Sequence, residues 1–408
     1  MSRKVPDRRV STLPGGRRRP FLRRLRPILA YLGFLCVLFL LAEGLARYAM
    51  VPGDGLARFL FRTGMKVSRR AYLDRNPELL DTEALVRPLH PNQVYVQQPE
   101  WDRPPFDRVE HPFRIRSNEL GFRERPFDEP KPPETRRIVF LGDSNTWGKG
   151  LEEGRRFSNL LGRLLPAGVQ VYNLGLEGCA SDCLAEVLDR SAVLQPDLAV
   201  LQVSGNDLDQ TIWRESRATP PSAAWATVLS VLSRSRFLMT GSYALAGDPS
   251  DRQREVMLAR AREFYAPAVQ RIVRTCRQRG MGLVILGLAY GDGTRYGDHY
   301  FDECRRNPDV CKAIVVEDFA NAATWLAPAP PHVLDEPRDS DWVSRTARDM
   351  GIDEAVMARV FPYRDLFYDI VHLNARGNWI VAMQLLPVLR EWLDAAPAGP
   401  EHESRQSP

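Results

Sequence analysis

One serine stands where a reactive side chain would be exposed at the edge of a sheet. The apolar run Ile138 to Leu141 is followed by Gly142-Asp143-Ser144 and then by a helix-like stretch. A serine between a strand and a helix presents its hydroxyl at the open sheet edge, and its backbone N–H lies near other donors able to hold an oxyanion. Ser144 is therefore a candidate nucleophile. The alternative is an ordinary turn or helix-capping serine.

Two later segments offer hydrogen-bond donors after apolar runs of the same kind. The run Val169 to Tyr172 leads to Gly175 and Gly178, where the absence of a side chain lets the backbone approach a substrate and offer an N–H. The run Leu198 to Val203 leads to Asn206, whose side-chain amide can supply a further donor. A plain turn is the competing interpretation of Asn206.

A carboxylate and an imidazole stand close together near the C-terminus. Asp369 precedes His372 by three residues, directly ahead of the last helix-like stretch. At this spacing an aspartate can hold one imidazole nitrogen and leave the other facing a serine, as nucleophilic acyl transfer requires. The chain has six histidines, and only His372 has this Asp-x-x-His setting at a helix entrance.

From Arg136 onward, short apolar runs alternate with longer amphipathic stretches. The predicted strands are Ile138 to Leu141, Val169 to Tyr172, Leu198 to Val203 and Leu283 to Leu286, and the predicted helices are Phe157 to Leu165, Leu184 to Leu194, Arg254 to Arg279 and Asn378 to Ala395. Continuous apolar strands are typical of a parallel sheet covered on both faces. The pattern predicts an α/β fold with a ligand site at the carboxyl ends of the strands.

Taken in this order, the four polar segments resemble the SGNH/GDSL hydrolase family, over roughly residues 112 to 392. The resemblance implies that Ser144 is the catalytic nucleophile and that His372 is the base, oriented by Asp369. It also implies a three-layer α/β/α sandwich around a flavodoxin-like, mostly parallel sheet, the SGNH hydrolase fold. The apolar run Ile28 to Ala42 predicts one N-terminal transmembrane helix before this fold.

The resemblance further implies an oxyanion hole made by the Ser144 N–H, the Gly178 N–H and the Asn206 side chain. Gly178 matches the second segment better than Gly175, because it precedes the small and polar residues expected there. Neither a metal nor another cofactor is implied. His299 is interpreted as a solvated loop histidine and not as a metal ligand.

The function implied is ester hydrolysis through an acyl-enzyme. The expected substrates are O-acyl or O-acetyl groups on envelope glycan or lipid. An O-acyltransferase using the same three residues and a catalytically silent relative that binds glycan or acts as a scaffold are the alternatives. The segment Asn118 to Arg123 is similar to the lead-in of membrane-anchored or exported bacterial members.

Two departures from the family pattern stand out. Asn145 follows the serine where the common motif has leucine, and Asp369 stands 225 positions after Ser144. We attribute the long separation to two insertions, at about residues 208–251 and 291–363, which are candidates for a lid or a substrate wall. The first contains an apolar amphipathic stretch that could equally be an ordinary helix packed on the core.

Competing nucleotide sites fit less well. Five residues, instead of four, separate Gly142 from Gly148, and Gly150 replaces the serine or threonine that a phosphate-binding loop needs for magnesium. Glycine clusters at 148–154 and 291–297 also miss the dinucleotide fingerprint by one residue.

The basic charge is confined to the leader, which argues against nucleic acid as a partner. Residues 1–27 hold ten basic side chains and one acidic one, so they contribute +9 to a net charge of +5, and the remainder of the chain is −4. The leader precedes fifteen uncharged residues, Ile28 to Ala42, with a weakly polar continuation. The positive-inside rule places residues 1–27 in the cytoplasm and the body outside it.

These observations predict a single-pass anchor in a bacterial cytoplasmic membrane, with the catalytic domain outside the cytoplasm. A cleaved signal peptide is the alternative, with a small-x-small pattern at Ala42 to Gly44. The predicted organisation comprises a leader at 1–27, an anchor at 28–50, a proline-rich stalk or apron at 51–135, a hydrolase domain at 136–395 and a disordered tail at 396–408.

Cysteine spacing is compatible with export. Cys179 and Cys183 are four residues apart, and Cys304 and Cys311 are seven apart. Two local disulfides would suit an oxidising compartment, and five reduced cysteines in the body are the alternative. Neither spacing matches a zinc ligand set.

Overall fold

A computed structural model describes the parts of the chain on which the fold rests. They are residues 19–49, 89–97, 112–128, 130–207, 210–211, 249–288, 297–317, 319–335, 342–350, 354–355, 358, 361–369 and 371–395. Most of the predicted insertion at 208–251 lies outside these residues, as do the leader before Arg19 and the predicted tail.

Five parallel strands form the central sheet in the order β4-β3-β5-β6-β7. The strands are β3 (Arg136–Leu141), β4 (Val169–Asn173), β5 (Leu198–Gln202), β6 (Gly282–Leu288) and β7 (Cys311–Val316). All four predicted strands are therefore present, within two residues at each end. β7 was not predicted; it lies inside the interval 291–363, so part of that interval belongs to the sheet.

Helices cover both faces of the sheet. The helices of the body are α2 (Ser144–Trp147), α3 (Phe157–Leu164), α4 (Ser181–Arg190), α5 (Pro249–Gln278), α6 (Asp298–Arg306), α7 (Ala322–Leu326), α8 (Pro331–Leu334), α9 (Trp342–Met350) and α10 (Ala375–Ala395). The N-terminal helix α1 (Arg19–Ala49) precedes them in the chain. The four predicted helices correspond to α3, α4 with the 3₁₀ turn after it, α5 and α10. The predicted fold, a mostly parallel sheet between helical layers, is confirmed.

Alternate residues of each strand face opposite layers, because successive strand side chains point to opposite faces. On one face, Ile138 and Phe140 of β3 pack with α3 and α10. On the other face, Val139 and Leu141 pack with α4 and α5. Both faces of β3 are buried, which explains why this strand reads as a continuous apolar run.

A short hairpin before the sheet packs against the loop that follows β3. Strands β1 (Val94–Gln97) and β2 (Phe113–Arg116) pair antiparallel, and Phe113 contacts the Trp147 ring edge-on. The segment after β2 is held by Asn118, whose Oδ1 accepts hydrogen bonds from the backbone N–H groups of Leu120 and Phe122. Part of the predicted apron is therefore packed on the body. The predicted domain limits stay a prediction.

A buried arginine, Arg123, joins the segment after β2 to the residues around α2. Arg123 donates to the carbonyls of Trp147, Gly148, Arg114 and Leu151, and its guanidinium lies 4.6 Å from the Trp147 ring. Burial lowers the pKa of Arg123 to about 9, so the group stays charged at neutral pH. These carbonyls surround the C-terminal end of α2, where a positive charge is favourable.

One helix among the described parts of the chain is long and apolar enough to cross a membrane. The window Pro27–Gly44 of α1 has a mean hydropathy of 2.0 and none of it is buried in the protein. Its large apolar side chains, from Ile28 to Leu41, are exposed. Exposed apolar surface on this scale is typical of a segment that contacts lipid, although a signal sequence has the same properties.

Two disulfides join the cysteines that are close in sequence. Cys179 pairs with Cys183 across the start of α4, and Cys304 pairs with Cys311 between α6 and β7. Cys276 on α5 is a buried free thiol, and burial raises its pKa to about 12. Of the two alternatives that the sequence left open for these four residues, the structure has the paired one.

Candidate active site

Three neighbouring strands bring the predicted site segments to one edge of the sheet. β3 lies between β4 and β5, so the loops that follow these strands are adjacent. Ser144 follows β3, Gly178 follows β4 and Asn206 follows β5. Carboxyl ends of parallel strands at a change in strand order are the usual location of a ligand site in such folds.

Ser144, His372 and Asp369 form a hydrogen-bonded chain. His372 Nε2 lies 2.9 Å from Ser144 Oγ, and His372 Nδ1 lies 2.7 Å from Asp369 Oδ2. With the proton on Nδ1, the histidine donates to Asp369 and offers an unprotonated Nε2 to the serine hydroxyl. Ser144 is half-buried, whereas Asp369 and His372 are buried.

The loop before α10 fixes the orientation of Asp369. Its other oxygen, Oδ1, accepts the backbone N–H groups of Val371 at 2.9 Å and His372 at 2.8 Å. Tyr368 N donates to His372 O at 2.8 Å, which closes the turn around the pair. The carboxylate cannot rotate without losing these bonds, so the imidazole is held in one orientation.

Asp143 begins the short helix that carries the serine. Its Oδ1 accepts the backbone N–H of Asn145 at 3.0 Å, which is a helix N-cap contact. Gly142 allows close packing, because a Cβ there would lie 2.0 Å from Thr146 Oγ1. Burial raises the pKa of the Asp143 carboxyl, against opposing effects led by the Asn145 N–H and the His372 charge. A structural role in the loop accounts for Asp143.

The two glycines of the second segment differ in their surroundings. A Cβ on Gly175 would lie 2.4 Å from the backbone nitrogen of Trp147, so this position requires close backbone packing against α2. Gly178 has a φ of +71°, and nothing lies within 4 Å of the position of its Cβ. An open backbone in the left-handed region fits a residue that offers its N–H to a ligand.

Asn206 is joined to the residue before the serine. Its Nδ2 lies 3.3 Å from both Asp143 Oδ2 and Ser204 Oγ. Ser204 Oγ in turn donates to the carbonyl of Cys179 at 2.7 Å. The three loops are therefore linked to one another around Ser144, and Asn206 is half-buried at their junction.

Two contacts at the site were not expected from the sequence. Asn145 Oδ1 accepts the backbone N–H of Leu373 at 3.2 Å, which ties the serine segment to the histidine segment. The Lys149 ammonium lies 2.9 Å from Glu177 Oε1, beside Gly178, and Lys149 is buried. The replacement of leucine by Asn145 was the only sequence signal for either contact.

The prediction that His299 is solvated is wrong. Its side chain is 6% exposed, and its Nε2 lies 3.0 Å from Asp207 Oδ2, below the sheet edge. The sequence placed it near Asp298 and Asp302, but the first turn of α6 directs it inward to a carboxylate from another loop. Its partner is 92 residues away, and no local pattern could indicate it.

An α/β/α sandwich with a serine after a strand, hydrogen-bonded to a histidine in the loop before the last helix, is typical of α/β serine hydrolases. The model of the GDSL-like lipase/acylhydrolase family matches residues 140–380, more than half of the chain. The chain belongs to this family, and the SGNH/GDSL resemblance is confirmed. It is a serine hydrolase of the esterase type.

Solved structures with a similar fold were also found. A member of the lipolytic protein G-D-S-L family from Veillonella parvula is 13% identical, with a TM-score of 0.33, over 63% of this chain and 99% of its own. A carbohydrate acetylesterase family member from Sinorhizobium meliloti is 16% identical, with a TM-score of 0.34, over 64% and 100%.

An acetylxylan esterase from Geobacillus stearothermophilus, solved as a catalytic mutant, is 16% identical, with a TM-score of 0.34, over 63% and 95%. No curated protein gives a significant match to the sequence.

Proposed function

We propose that the protein is a membrane-anchored, extracytoplasmic esterase that removes O-acyl groups through an acyl-enzyme. The observation that carries the proposal is the hydrogen-bonded chain from Ser144 through His372 to Asp369. These residue types, in this order of contact, activate a serine for attack on a carbonyl carbon.

In the first half of the reaction, Ser144 Oγ forms a bond to the ester carbonyl carbon while its proton moves to His372 Nε2. The carbonyl electron pair moves to the oxygen, giving a tetrahedral oxyanion. Asp369 stabilises the imidazolium that results. Collapse of the intermediate breaks the bond to the alcohol, which takes the proton from His372 and leaves Ser144 acylated.

The oxyanion is assigned three donors: the N–H of Ser144, the N–H of Gly178 and the side-chain amide of Asn206. Ser144 N is at the start of α2, where the helix leaves backbone N–H groups without partners inside it. The open surroundings of Gly178 and the half-buried position of Asn206 support the assignment. Losing one such donor raises a barrier by about 3–4 kcal/mol.

In the second half, a water attacks the acyl carbon while His372 accepts its proton. The tetrahedral intermediate collapses by breaking the bond between the acyl carbon and Ser144 Oγ, which takes back the proton from His372. The carboxylic acid leaves and ionises in water, and Ser144 is regenerated. An acceptor hydroxyl in place of water would make the same site an O-acyltransferase. The two reactions share every residue named here and differ only in the acceptor.

Location limits the substrate. The basic leader, the exposed apolar face of α1 and the two disulfides support a body outside the cytoplasm and close to the membrane. Esters within reach of a membrane-anchored enzyme are acyl groups on envelope glycan or on lipid, and these are the proposed substrates.

The first test is labelling of the full-length protein, purified in detergent, with a fluorophosphonate probe. We expect labelling at Ser144, its loss in Ser144→Ala and a much slower reaction in His372→Ala. Ser191→Ala is a matched control, since Ser191 is a buried serine whose hydroxyl donates to the carbonyl of Leu188, away from the site. A folded wild-type protein that resists the probe would contradict the esterase proposal.

The second test identifies the acceptor and the location. Release of acetate from O-acetylated glycan in water supports hydrolysis, and movement of the acetyl group to an added glycan identifies transfer. Hydrolysis of an O-acylated lipid in vesicles tests lipid as the substrate.

Cleavage of the body by protease added to intact spheroplasts is expected, and protection of the body would contradict an extracytoplasmic location.

A further inference from the structure

A second polar cluster lies beneath the proposed oxyanion loops. It consists of Ser181 at the start of α4, Asp207 after β5, and His299 and Tyr300 at the start of α6. Their relative exposures are 0%, 2%, 6% and 0%, so all four side chains are buried. We call it the buried cluster.

Asp207 is the centre of the buried cluster. Its Oδ1 accepts the Ser181 N–H at 2.7 Å, and its Oδ2 lies 2.5 Å from Ser181 Oγ and 3.0 Å from His299 Nε2. Ser181 Oγ also lies 2.6 Å from the Tyr300 hydroxyl. A buried carboxylate needs several partners to offset its lost hydration, and here they come from α4 and α6.

The Tyr300 hydroxyl stays protonated in this environment. Burial, and then the negative charge of Asp207, raise the pKa of Tyr300 well above 10. A neutral phenol has one proton to donate, and the oxygens next to it belong to the buried cluster. The Tyr300 hydroxyl therefore links α6 to Ser181 and to Asp207. The Tyr300 ring packs in the apolar layer beside α4 and α5.

The buried cluster is adjacent in sequence to two proposed oxyanion donors. Asp207 directly follows Asn206, and Ser181 stands three residues after Gly178. The loops are also joined by the bond from Gln210 Nε2 to the Gly178 carbonyl, at 2.8 Å. Any displacement of Asp207 relative to Ser181 changes the separation between Gly178 N and the Asn206 amide.

We propose that His299 and Tyr300 are positioning residues, which act through Asp207 and Ser181 to hold Gly178 and Asn206 at the separation that an oxyanion requires. The inference rests on the proposed function and adds a role for α6, which lies in the interval predicted as an insertion. Neither residue touches substrate, so the effect is on the rate of the chemical step and not on substrate affinity.

The test compares His299→Ala and Tyr300→Phe with Tyr172→Phe, all in the full-length protein. Tyr172 is a matched control, because it is a buried tyrosine whose hydroxyl also contacts an aspartate, Asp128, away from the oxyanion loops. We expect kcat on p-nitrophenyl acetate to fall about 10- to 100-fold in the first two variants, the effect of a misplacement near 1 Å, with KM within about twofold.

A conservative variant separates positioning from general damage. His299→Gln keeps an N–H donor toward Asp207 and is expected to recover most of the lost kcat. The pH profile of kcat/KM is expected to keep its midpoint in every variant, because Ser144, His372 and Asp369 are untouched. An unchanged kcat in folded His299→Ala, or an equal fall in Tyr172→Phe, would overturn the proposal.

Amide hydrogen exchange provides a readout that does not depend on activity. Exchange in segments 176–181 and 204–207 is expected to rise in His299→Ala and Tyr300→Phe, and to stay unchanged in Tyr172→Phe. Unchanged exchange in both variants would overturn the positioning role even if the esterase proposal holds. If the two variants exchange faster than the wild-type protein but the wild-type protein has no esterase activity, only the proposed function is contradicted.

Discussion

Two buried Asp–His pairs lie within the part of the chain that the structure describes, and they differ in sequence separation and in the elements that supply them. Asp369 and His372 are three residues apart in one loop, with Nδ1 and Oδ2 separated by 2.7 Å. Asp207 and His299 come from different elements 92 residues apart, with Nε2 and Oδ2 separated by 3.0 Å. A serine hydroxyl lies next to each pair, Ser144 for the first and Ser181 for the second.

The two pairs differ in the exposure of the serine beside them. Ser144 is half-buried, and its hydroxyl lies 2.9 Å from His372 Nε2. Ser181 is fully buried, and its hydroxyl contacts the carboxylate directly and not through the imidazole. We therefore propose that the same three residue types perform chemistry in one place and position the loops in the other.

Replacing the two serines gives the largest expected contrast. Ser144→Ala is expected to lower kcat by about 10⁴- to 10⁶-fold, because the nucleophile is lost. Ser181→Ala is expected to lower kcat only about 10- to 100-fold, because it loosens the donors and leaves the nucleophile in place. Steady-state hydrolysis of p-nitrophenyl acetate measures both. Comparable losses in the two variants would remove the distinction between the pairs.

Replacing the two aspartates gives the next largest contrast. Asp369→Asn is expected to lower kcat by about 10³- to 10⁴-fold, because an amide favours the wrong tautomer of His372. Asp207→Asn keeps the shape of the side chain and is expected to lower kcat about 10-fold, with no change in the pH midpoint of kcat/KM. A pH series for both variants provides the measurement. A shifted midpoint in Asp207→Asn would contradict the division of roles.

The contacts of Arg123 that hold α2, the helix of Ser144, can be tested by a stability measurement. Arg123 donates to carbonyls at the end of α2 and stacks on Trp147, and a lysine reproduces neither the planar fork nor the stacking. Arg123→Lys is expected to destabilise the fold by about 2–3 kcal/mol, measured by thermal unfolding. Arg305→Lys is the control, because Arg305 is 71% exposed and is expected to change the melting temperature negligibly.

Removal of the disulfides gives the smallest expected effects. One disulfide lies at the start of α4, and the other joins α6 to β7. Replacing Cys179 and Cys183 by serine is expected to lower kcat severalfold, because the bond closes the loop beside Gly178. Replacing Cys304 and Cys311 is expected to lower the melting temperature, through a loss of about 2 kcal/mol, with kcat unchanged. A fall in kcat confined to the second double variant would reverse this order.

The elements that could be predicted are those with strong local signals. β3 and β5 are buried on both faces and read as continuous apolar runs, and α10 has a long amphipathic pattern. β7 escaped prediction because it is an edge strand, paired only with β6, and its middle residues are not buried. An edge strand has less need of apolar side chains, so its sequence is less distinctive.

The candidate site divides in the same way. Asp369 and His372 share one loop, and their spacing shows in the sequence. The contacts of Arg123 with α2 and of His299 with Asp207 depend on how distant elements pack, and nothing in the neighbouring residues indicates them. The prediction that His299 is solvated was wrong for this reason, because its burial is a property of the fold and not of its sequence neighbourhood.

The amino-acid sequence by itself determined the family, the layered α/β architecture and the order of the polar segments, because apolar periodicity and short motifs are local properties of the chain. The tertiary structure alone decided which Asp–His pair has a partly exposed serine beside it and which has a fully buried one. Burial depends on every element that packs around a group, and a side chain 92 residues away contributes as much to it as an adjacent one.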